Sequence, residues 1–336
     1  MTRTAQSRTP GELALVQAIR QQAARLRSAS LRLGIGDDCA ILRPRKGHEI
    51  CVTTDFTLEG VHFRREWHPP EAVGHRCLAR GLSDLAAMGA RPMAVFLSIA
   101  LPGRLPAGWL DRFLRGFLDL AARHKTPLAG GDTAASATGT IAADIVAIGE
   151  APTGTALLRS GARPGDAVYV TGFLGGAAAE LRRLSHNPRR FSRMAQALPG
   201  HPHLYPEPRL AAGQRLRGLA SSAIDISDGL STDLTHLCEE SGVAAVLEED
   251  RLPIDPLARE EPDALALALH GGEDYELLFT AGPNQRIPRS VAGVPIRRIG
   301  TLRRRRAGQP LIALATLSGG NRPVEAAGWQ HFAGKR

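Results

Sequence analysis

The stretch Gly34-Ile35-Gly36-Asp37-Asp38-Cys39-Ala40-Ile41-Leu42 places two adjacent carboxylates in a glycine turn that leads into an apolar run. Further carboxylates follow along the chain, each in a segment of mostly apolar, glycine or small hydroxyl residues and none directly beside a basic residue. They are Asp55, Asp84, Asp132, Asp225 and Asp228.

Carboxylates in such segments need a counter-charge, because a bare charge in a partly buried site is unfavourable or is removed by protonation. Magnesium is usually held by a few carboxylates together with water and substrate phosphates. The pattern therefore predicts a magnesium and phosphate site assembled from distant loops.

Apolar spacing predicts alternating helices and strands around these carboxylates. Helices are expected over 12–26, 70–88, 106–124, 209–220 and 262–269, and strands over 40–42, 50–53, 93–101, 127–129, 140–149, 167–171, 222–226, 275–280, 295–302 and 311–314. The segment 188–208 is expected to be irregular with a short helix, and Asp228 is also suited to cap the helix after Gly229. These helices and strands predict an α/β (α+β) protein. Composition near 150–165 shifts to proline, glycine and threonine, which indicates a boundary between domains of residues 1–150 and 151–336.

The 336 residues carry a formal charge of +9, and arginine supplies nearly all of the positive charge. The densest run, residues 303–306, lies between two apolar segments and is expected to form a hairpin loop. Aromatic residues make up 4% of the chain and no base-stacking module is visible, so we expect no nucleic-acid partner. RNA binding through the arginine excess is the alternative from a different class, and it leaves the acidic loops unexplained.

The cysteines Cys39, Cys51, Cys77 and Cys238 have no CxxC spacing and lie in apolar segments. They are expected to be core residues in a reducing compartment, with no zinc site. The N-terminal segment lacks the apolar core of a signal peptide, and no stretch is long and apolar enough to span a bilayer. These features predict a cytoplasmic protein without a membrane partner.

Several nucleotide and catalytic motifs are absent from the sequence. There is no GxxxxGK[ST] loop, no HExxH, no GxSxG elbow and no protein-kinase set of HRD and DFG. The turn at Gly34 also lacks the third glycine and later acidic partner of a dinucleotide fingerprint. No activated serine, cysteine or histidine dyad is visible in the sequence.

The order of the acidic loops is more specific than any single motif. GIGDDCAIL, TTDFTLEGVHF, LSDLAAMGARP, LAGGDT, RSGARPGDAVYVTG, AIDISDGLSTDL and GGEDYELLFT occur in that order. Together they resemble the thiamine-monophosphate kinase family from about Gly11 to Phe332. The wider resemblance is to the superfamily of aminoimidazole ribonucleotide synthetase and selenophosphate synthetase.

This resemblance implies an N-terminal α/β domain that pairs with its copy in a homodimer, a C-terminal α/β domain, and an active site in the cleft between the two domains. It also implies the reaction of ATP with thiamine monophosphate to give ADP and thiamine diphosphate. The implied ligands of several magnesium ions are Asp38, Thr53, Thr54, Asp55, Asp84, Asp132, Asp225 and Asp228. The implied ATP contacts are Gly131, Asp132, Arg159 and Ser227, and the implied contacts of thiamine monophosphate are His62, Glu273 and Trp329.

Simpler interpretations stay open for some of these residues. His62 can cap a loop, and Trp329 can anchor the C-terminal segment. Asp37 is expected to hydrogen-bond to the backbone of its own turn, because only one carboxylate of an adjacent pair should face the metal ions.

Phosphoryl transfer between two phosphates depends on positioning and charge neutralisation, so we expect direct transfer without a phosphorylated enzyme and without a catalytic side chain. The alternative within the superfamily is a sister enzyme with the same ATP site and a different acceptor. Selenophosphate synthetase is expected to carry a reactive cysteine or selenocysteine near its N-terminus, and this chain has no cysteine before Cys39.

Overall fold

A computed structural model describes residues 6–9, 11–26, 28–188, 201–330 and 332. These residues form two compact units. The first unit holds the described residues up to Leu85, Arg91–Thr153 and those described within Arg183–Gly200. The second holds Ala86–Ala90, Gly154–Arg182 and the described residues from His201 onward. Residues 189–200, most of the segment predicted to be irregular, lie outside the described residues.

The first unit is built on a four-stranded sheet with two long helices. Its elements are β1 (Gln6–Arg8), α1 (Glu12–Ala23), β2 (Leu31–Leu33), β3 (Ile41–Leu42), β4 (His48–Leu58), α2 (Pro70–Ala87), β5 (Arg91–Leu101), β6 (Arg104–Pro106), α3 (Trp109–Arg123), β7 (Leu128–Ala135) and β8 (Ala142–Pro152). The sheet order is β4-β8-β5-β7, with only β5 and β7 parallel, while β1-β6 and β2-β3 are separate two-stranded sheets.

The two faces of the four-stranded sheet differ in burial. One face is covered by α2, where Gly81 lies against Ile145 and Ala147 of β8. The other face carries Val52 and Phe56 of the edge strand β4, which are 60% and 59% exposed. Successive side chains of a strand point to opposite faces, so alternation along β4 produces this open apolar face.

The second unit is built on a larger mixed sheet. Its elements are β9 (Ala167–Thr171), α4 (Gly176–His186), α5 (Leu210–Leu216), β10 (Ser222–Asp225), α6 (Leu230–Ser241), β11 (Val243–Glu248), α7 (Pro256–Arg259), α8 (Ala264–His270), β12 (Leu277–Ala281), β13 (Ser290–Val291), β14 (Val294–Arg304), β15 (Ile312–Ala315) and β16 (Asn321–Pro323). The order is β10-β12-β9-β14-β11-β15-β16, with β13 beside β14. Its core joins Val168 and Val170 of β9 with Leu234 and Leu237 of α6.

Three sequence expectations need correction. The run 303–306 is not a hairpin loop, because β14 and β15 lie on opposite sides of β11 and do not pair with each other. Cys39 is exposed because it lies in the turn between β2 and β3, and Cys51 is only half-buried because it lies on the edge strand β4. Cys77 and Cys238 are buried as expected.

The strands β4 and β7 continue well past the ranges that the sequence indicated. β4 continues through Asp55 to Leu58, and β7 contains Gly130, Gly131 and Asp132, which were expected at a strand end. Pairing with β8 and with β5 respectively extends both strands past their apolar cores. No helix within the described ranges is long and apolar enough to cross a membrane.

Candidate functional site

In the first unit, β4 and α2 bring three of the predicted metal ligands together. The Thr53 hydroxyl donates a hydrogen bond of 2.5 Å to Asp84 Oδ2. Thr53 and Asp55 are two residues apart on β4 and therefore point to the same face. Thr54, the residue between them, is exposed and points its side chain to the opposite face. The structure thus groups Thr53, Asp55 and Asp84 and leaves the side chain of Thr54 apart from them.

The pKa of Asp55 depends on its burial and on several charged neighbours. The pKa of Asp55 is raised to about 6: burial is the largest cause, Arg80 opposes the rise, and the charges of Asp84 and Asp144 add to it. Arg80 Nε lies 3.0 Å from Asp55 Oδ1. The sequence analysis missed Arg80 because it compared each carboxylate only with its direct neighbours. Arg80 is one helical turn before Asp84, and this spacing indicates that the two side chains share a helix face.

Asp38 and Asp132 are exposed in the first unit. The backbone N–H of Asp38 donates to Asp37 Oδ1 at 3.1 Å, which confirms the turn-bonding role expected for Asp37. Gly131, before Asp132, has a φ of 150° and packs against β5, where an added Cβ would lie 1.8 Å from the Leu97 carbonyl oxygen. Only glycine fits there. The absence of a side chain at Gly131 therefore lets the backbone next to Asp132 lie close to β5.

Among residues 6–9, 11–26, 28–188, 201–330 and 332, no three His, Cys, Asp or Glu side chains meet closely enough to enclose a metal ion. The predicted metal ligands therefore stay a prediction.

In the second unit, three segments converge through backbone hydrogen bonds. Glu273 N–H donates to the Ser227 carbonyl at 2.7 Å, and Trp329 N–H donates to the Asp228 carbonyl at 3.0 Å. Tyr275 N–H donates to the Ile226 carbonyl at 2.9 Å. These bonds bring two predicted groups together. One group is Asp225, Ser227 and Asp228, and the other is Glu273 and Trp329.

The approach of the C-terminal segment depends on Gly328. An added Cβ at this residue would lie 1.9 Å from the Asp228 carbonyl oxygen. The Gly328 N–H also donates to the Thr232 hydroxyl at 3.1 Å. The absence of a side chain therefore lets the segment lie directly on the 225–228 loop and places Trp329 beside it.

Asp233 on α6 is a residue that the sequence analysis missed. Its carboxylate accepts a hydrogen bond of 3.1 Å from the backbone N–H of Asp228. Burial raises the pKa of Asp233 well above its ordinary value, and the charges of Asp225 and Asp228 raise it further. The DISDG motif continues into LSTDL, so the third carboxylate was visible as the first-turn acidic residue of the next helix.

The expectation that Asp228 caps this helix is wrong. The residue at the N-cap of α6 is Gly229, and it makes no side-chain cap hydrogen bond. The side chain of Asp228 is half-buried, and its charge, like that of Asp225, raises the pKa of Asp233.

The loop that carries Glu273 is strained and firmly held. Glu273 and Tyr275 have φ values of 69° and 51°, which non-glycine residues rarely adopt. Between them, buried Asp274 accepts hydrogen bonds from the backbone N–H groups of Gly175 (2.6 Å) and Ala177 (3.1 Å) at the start of α4. Burial raises the pKa of Asp274 to about 8 despite these bonds. Strain of this kind persists where the surroundings fix it and is common at binding sites.

Glu276 fixes the far end of the same loop. Its buried carboxylate accepts hydrogen bonds from Arg209 Nε (2.7 Å) and Nη2 (2.5 Å) and from the Thr171 hydroxyl (2.6 Å). Ile226 N–H donates to its carbonyl oxygen at 2.8 Å. The motif GGEDYELLFT therefore combines a half-buried Glu273 with two buried carboxylates that anchor the loop.

A cavity of about 420 Å³ opens beside this loop. It is lined by Ala178, Asp263, Ala266, Leu267, His270, Gly271, Gly272, Gly328 and Trp329. The volume is in the range of small-molecule sites, and the half-exposed indole of Trp329 offers a flat apolar wall.

The structure also pairs a serine with a histidine, which the sequence analysis did not find. Ser231 Oγ lies 2.9 Å from His270 Nδ1. Ser231 is fully buried, which opposes its use as a nucleophile. Burial, and then the charge of Arg322, lowers the pKa of His270.

Two predicted contacts lie elsewhere in their units. His62 of the first unit is half-buried, and its Nδ1 accepts a hydrogen bond of 2.9 Å from the Leu58 N–H, as a loop cap would. Arg159 of the second unit is exposed, and its carbonyl accepts a hydrogen bond of 2.9 Å from the Ser241 hydroxyl. The bond of His62 fits the simpler interpretation and leaves its ligand role as a prediction.

Comparison with known proteins gives consistent matches across the chain. Residues 36–151 match the family AIR synthase related protein, N-terminal domain, and residues 163–291 match its C-terminal domain. The thiamine-monophosphate kinase of Escherichia coli (strain K12) is 41% identical over 287 residues, covering 83% of this chain and 87% of that protein. The thiamine-monophosphate kinase of Bacillus subtilis (strain 168) is 33% identical over 312 residues, covering 90% and 94%.

Solved structures agree with these matches. The thiamine-monophosphate kinase of Stenotrophomonas maltophilia K279a has a TM-score of 0.77 and 36% identity, covering 93% of this chain and 98% of that one. A structure of AaThiL complexed with AMPPCP and TMP has a TM-score of 0.74 and 29% identity, covering 96% and 97%. A hydrogenase maturation protein, HypE, in complex with ATP has a TM-score of 0.73 at 19% identity, which shows a shared fold alone.

Proposed function

The chain belongs to the thiamine-monophosphate kinase family, and we propose that it uses ATP to phosphorylate thiamine monophosphate, giving thiamine diphosphate and ADP. The relative complexed with AMPPCP, an ATP analogue, and TMP supports both the phosphoryl donor and the acceptor. The family also favours this reaction over that of the sister enzymes with another acceptor and over RNA binding.

The observation that carries the proposal is the convergence within the second unit. Ser227 and Asp228, predicted to face ATP and metal, are joined by backbone hydrogen bonds to Glu273 and Trp329, predicted to face the acceptor. Donor and acceptor sites that share one set of backbone bonds hold two substrates close together, which phosphoryl transfer requires.

We propose magnesium as the metal because the residues present fit it. The grouped side chains offer oxygen atoms, which hard divalent cations prefer. The pKa values of Asp55 and Asp233 are raised by burial and by neighbouring carboxylates, as expected of acidic groups that lack enough counter-charge. The proposed ligands are Asp38, Thr53, Thr54, Asp55, Asp84, Asp132, Asp225 and Asp228. Because the side chain of Thr54 points to the other face of β4, its proposed contribution is a backbone oxygen. When bound, magnesium supplies charge neutralisation between the two phosphate groups.

The chain's own residues position the substrates in this proposal. Gly131, Asp132, Arg159 and Ser227 bind ATP, and His62, Glu273 and Trp329 bind thiamine monophosphate. Glu273 lies 3.3 Å from His203 Nδ1 and faces a cationic or polar part of the acceptor, while Trp329 provides a surface for ring stacking.

We propose direct transfer of the γ-phosphoryl group to the acceptor phosphate, with no phosphorylated enzyme. A phosphate nucleophile is already ionised at neutral pH, so no strong general base is needed. The buried position of Ser231 supports this route over one through the Ser231–His270 pair. If labelled ATP without acceptor produced a phosphorylated protein that passed its label to product, direct transfer would be wrong.

A homodimer and a cytoplasmic location belong to the same proposal. The open apolar face of the four-stranded sheet supports the homodimer, since a large exposed apolar face on a folded unit commonly marks a protein interface. The cytoplasmic location is supported by the consumption of ATP.

The test is an assay of the purified full chain with ATP, magnesium and either thiamine monophosphate or free thiamine, with the products separated by chromatography. We expect thiamine diphosphate from the monophosphate only, and only when magnesium is present. ATP binding without reaction of either acceptor would refute the proposed acceptor and favour a sister reaction.

A further inference from the structure

A cation of the chain itself lies among the proposed magnesium ligands of the first unit. Arg80 Nε is 3.0 Å from Asp55 Oδ1. The side chains of Arg80 and Asp55 expose 13% and 25% of their surfaces, so the pair is largely removed from water. An ion pair in such surroundings is stronger than one on the surface.

The fold connects Arg80 with the acidic group through one helix and one strand. Arg80 and Asp84 are four residues apart on α2 and share a helix face. Asp84 is in turn bonded to Thr53, which shares the inner face of β4 with Asp55. The guanidinium therefore pairs with Asp55, one of the carboxylates proposed to hold a divalent cation, and shares a helix face with Asp84, another.

We propose that Arg80 is an internal counter-ion of this group: it neutralises Asp55 when no divalent cation is bound, and it lowers the affinity of the group for magnesium. The inference rests on the proposed function, because it requires a divalent-cation site at Asp55. A positive charge a few ångströms from the binding position repels an incoming cation, and partial burial strengthens that repulsion.

The same charge keeps the metal-free protein stable. Without Arg80, Asp55 would lose this ion pair and would keep the repulsion of Asp84 and Asp144 in a partly buried site. Buried like charges are unfavourable, so the metal-free fold depends on Arg80 and the metal-bound fold does not.

The first test is a calorimetric titration of the full chain with Mn²⁺ in the absence of nucleotide. We expect Arg80→Met to bind Mn²⁺ about tenfold more tightly than the wild type, because it removes a repulsive unit charge. Arg80→Lys keeps the charge and should bind as the wild type does. The matched control is Arg104→Met, which removes an exposed arginine of β6 and should leave the affinity unchanged.

A double-mutant cycle assigns the effect to the Arg80–Asp55 pair. In an Asp55→Asn background, Arg80→Met should lose most of its effect on Mn²⁺ affinity, since the two changes act on one interaction. Thermal unfolding provides a second readout: Arg80→Met should lower the Tm in EDTA by several degrees and lose that deficit in excess magnesium.

The outcomes separate this inference from the proposed function. Equal or weaker Mn²⁺ binding by Arg80→Met, with normal binding by the wild type, would overturn the counter-ion role and leave the metal site in place. If the wild type bound Mn²⁺ no better than Asp55→Asn does, both the metal site at Asp55 and the role of Arg80 would be refuted.

Discussion

Asp55 combines features of a ligand that a divalent cation must stabilise. It lies on the inner face of β4 beside Asp84, and burial raises its pKa to about 6. We expect Asp55→Asn to lower turnover at saturating magnesium by about a hundredfold or more while the fold is retained, because a direct ligand matters at least as much as the residues that support ligands. The measurement is steady-state kinetics alongside circular dichroism.

The control for this prediction is Asp111→Asn, which removes an exposed carboxylate of α3 in the same unit. It should keep the activity of the wild type. Near-normal turnover of Asp55→Asn at saturating magnesium would contradict the assignment of Asp55 as a metal ligand.

Glu150 illustrates a buried carboxylate with a structural role. Its side chain is fully buried and bonded to Arg45 and Arg91. Burial alone would raise its pKa, but the backbone N–H of Arg45 and the guanidinium groups of Arg91 and Arg45 lower the pKa from 4.5 to about 2. A lowered pKa means that Glu150 stabilises the fold fully above about pH 4.5 and that this stabilisation is lost as the pH falls toward 2.

Glu150→Gln should therefore reduce the free energy of unfolding at pH 7 by on the order of 3 kcal/mol. The difference between the wild type and the variant should shrink as the pH falls from 4.5 to 2. Urea unfolding at several pH values checks this. A difference that stays constant from pH 7 to pH 2 would show that folding does not lower the pKa of Glu150.

At the residue scale, the sequence indicated Asp55, Asp84, Asp225 and Asp228 because each interrupts an apolar or glycine segment. Arg80 was missed because its ion-pair partner Asp55 lies on a different element, and Asp233 was missed although its place in the first turn of α6 was visible in the sequence. Thr54 was included because of the family resemblance, whereas the alternation of β4 points its side chain away from Thr53 and Asp55. Partners across elements are therefore harder to predict than the carboxylates themselves.

At the scale of elements, the C-terminal segment depends on one close approach. Gly328→Ala would place a methyl group 1.9 Å from the Asp228 carbonyl oxygen, so the segment must move away from the loop and take Trp329 with it. We expect the KM for thiamine monophosphate to rise about tenfold or more, because small displacements of substrate-binding groups strongly affect productive binding. The KM for ATP should change less.

The matched control is Gly103→Ala, where an added methyl group meets no atom within 4 Å. This variant should keep both KM values. If Gly328→Ala bound the acceptor normally but unfolded at a lower temperature than the wild type, Trp329 would be an anchor of the C-terminal segment and not a contact of the acceptor.

Element positions were largely predictable, because apolar periodicity reports which face of a helix or strand is buried. The predicted helix over 70–88 matches α2, and the predicted strand over 167–171 matches β9. Strand ends were less predictable. β4 and β7 run on through polar and glycine residues because their neighbours β8 and β5 provide hydrogen-bond partners, and sequence alone does not reveal that pairing.

At the scale of the whole molecule, strand order was not accessible from the sequence. The arginine run 303–306 was expected in a hairpin because two apolar strands flank it. The two strands lie on either side of β11 instead, one antiparallel and one parallel to it. Pairing between distant strands depends on the entire sheet, whereas a hairpin depends only on local sequence.

The last prediction concerns assembly of the whole molecule. Val52 is 60% exposed on the open apolar face of the first unit, and a partner that covers this face would bury it. Val52→Glu would then place a charge in an apolar interface, which strongly opposes association. We expect the wild type to sediment as a dimer and Val52→Glu as a folded monomer.

Leu317→Glu is the control, because Leu317 is 76% exposed in the second unit and its replacement should leave the dimer intact. A monomeric wild type, or a Val52→Glu variant that still dimerises, would show that this face does not join two copies of the chain.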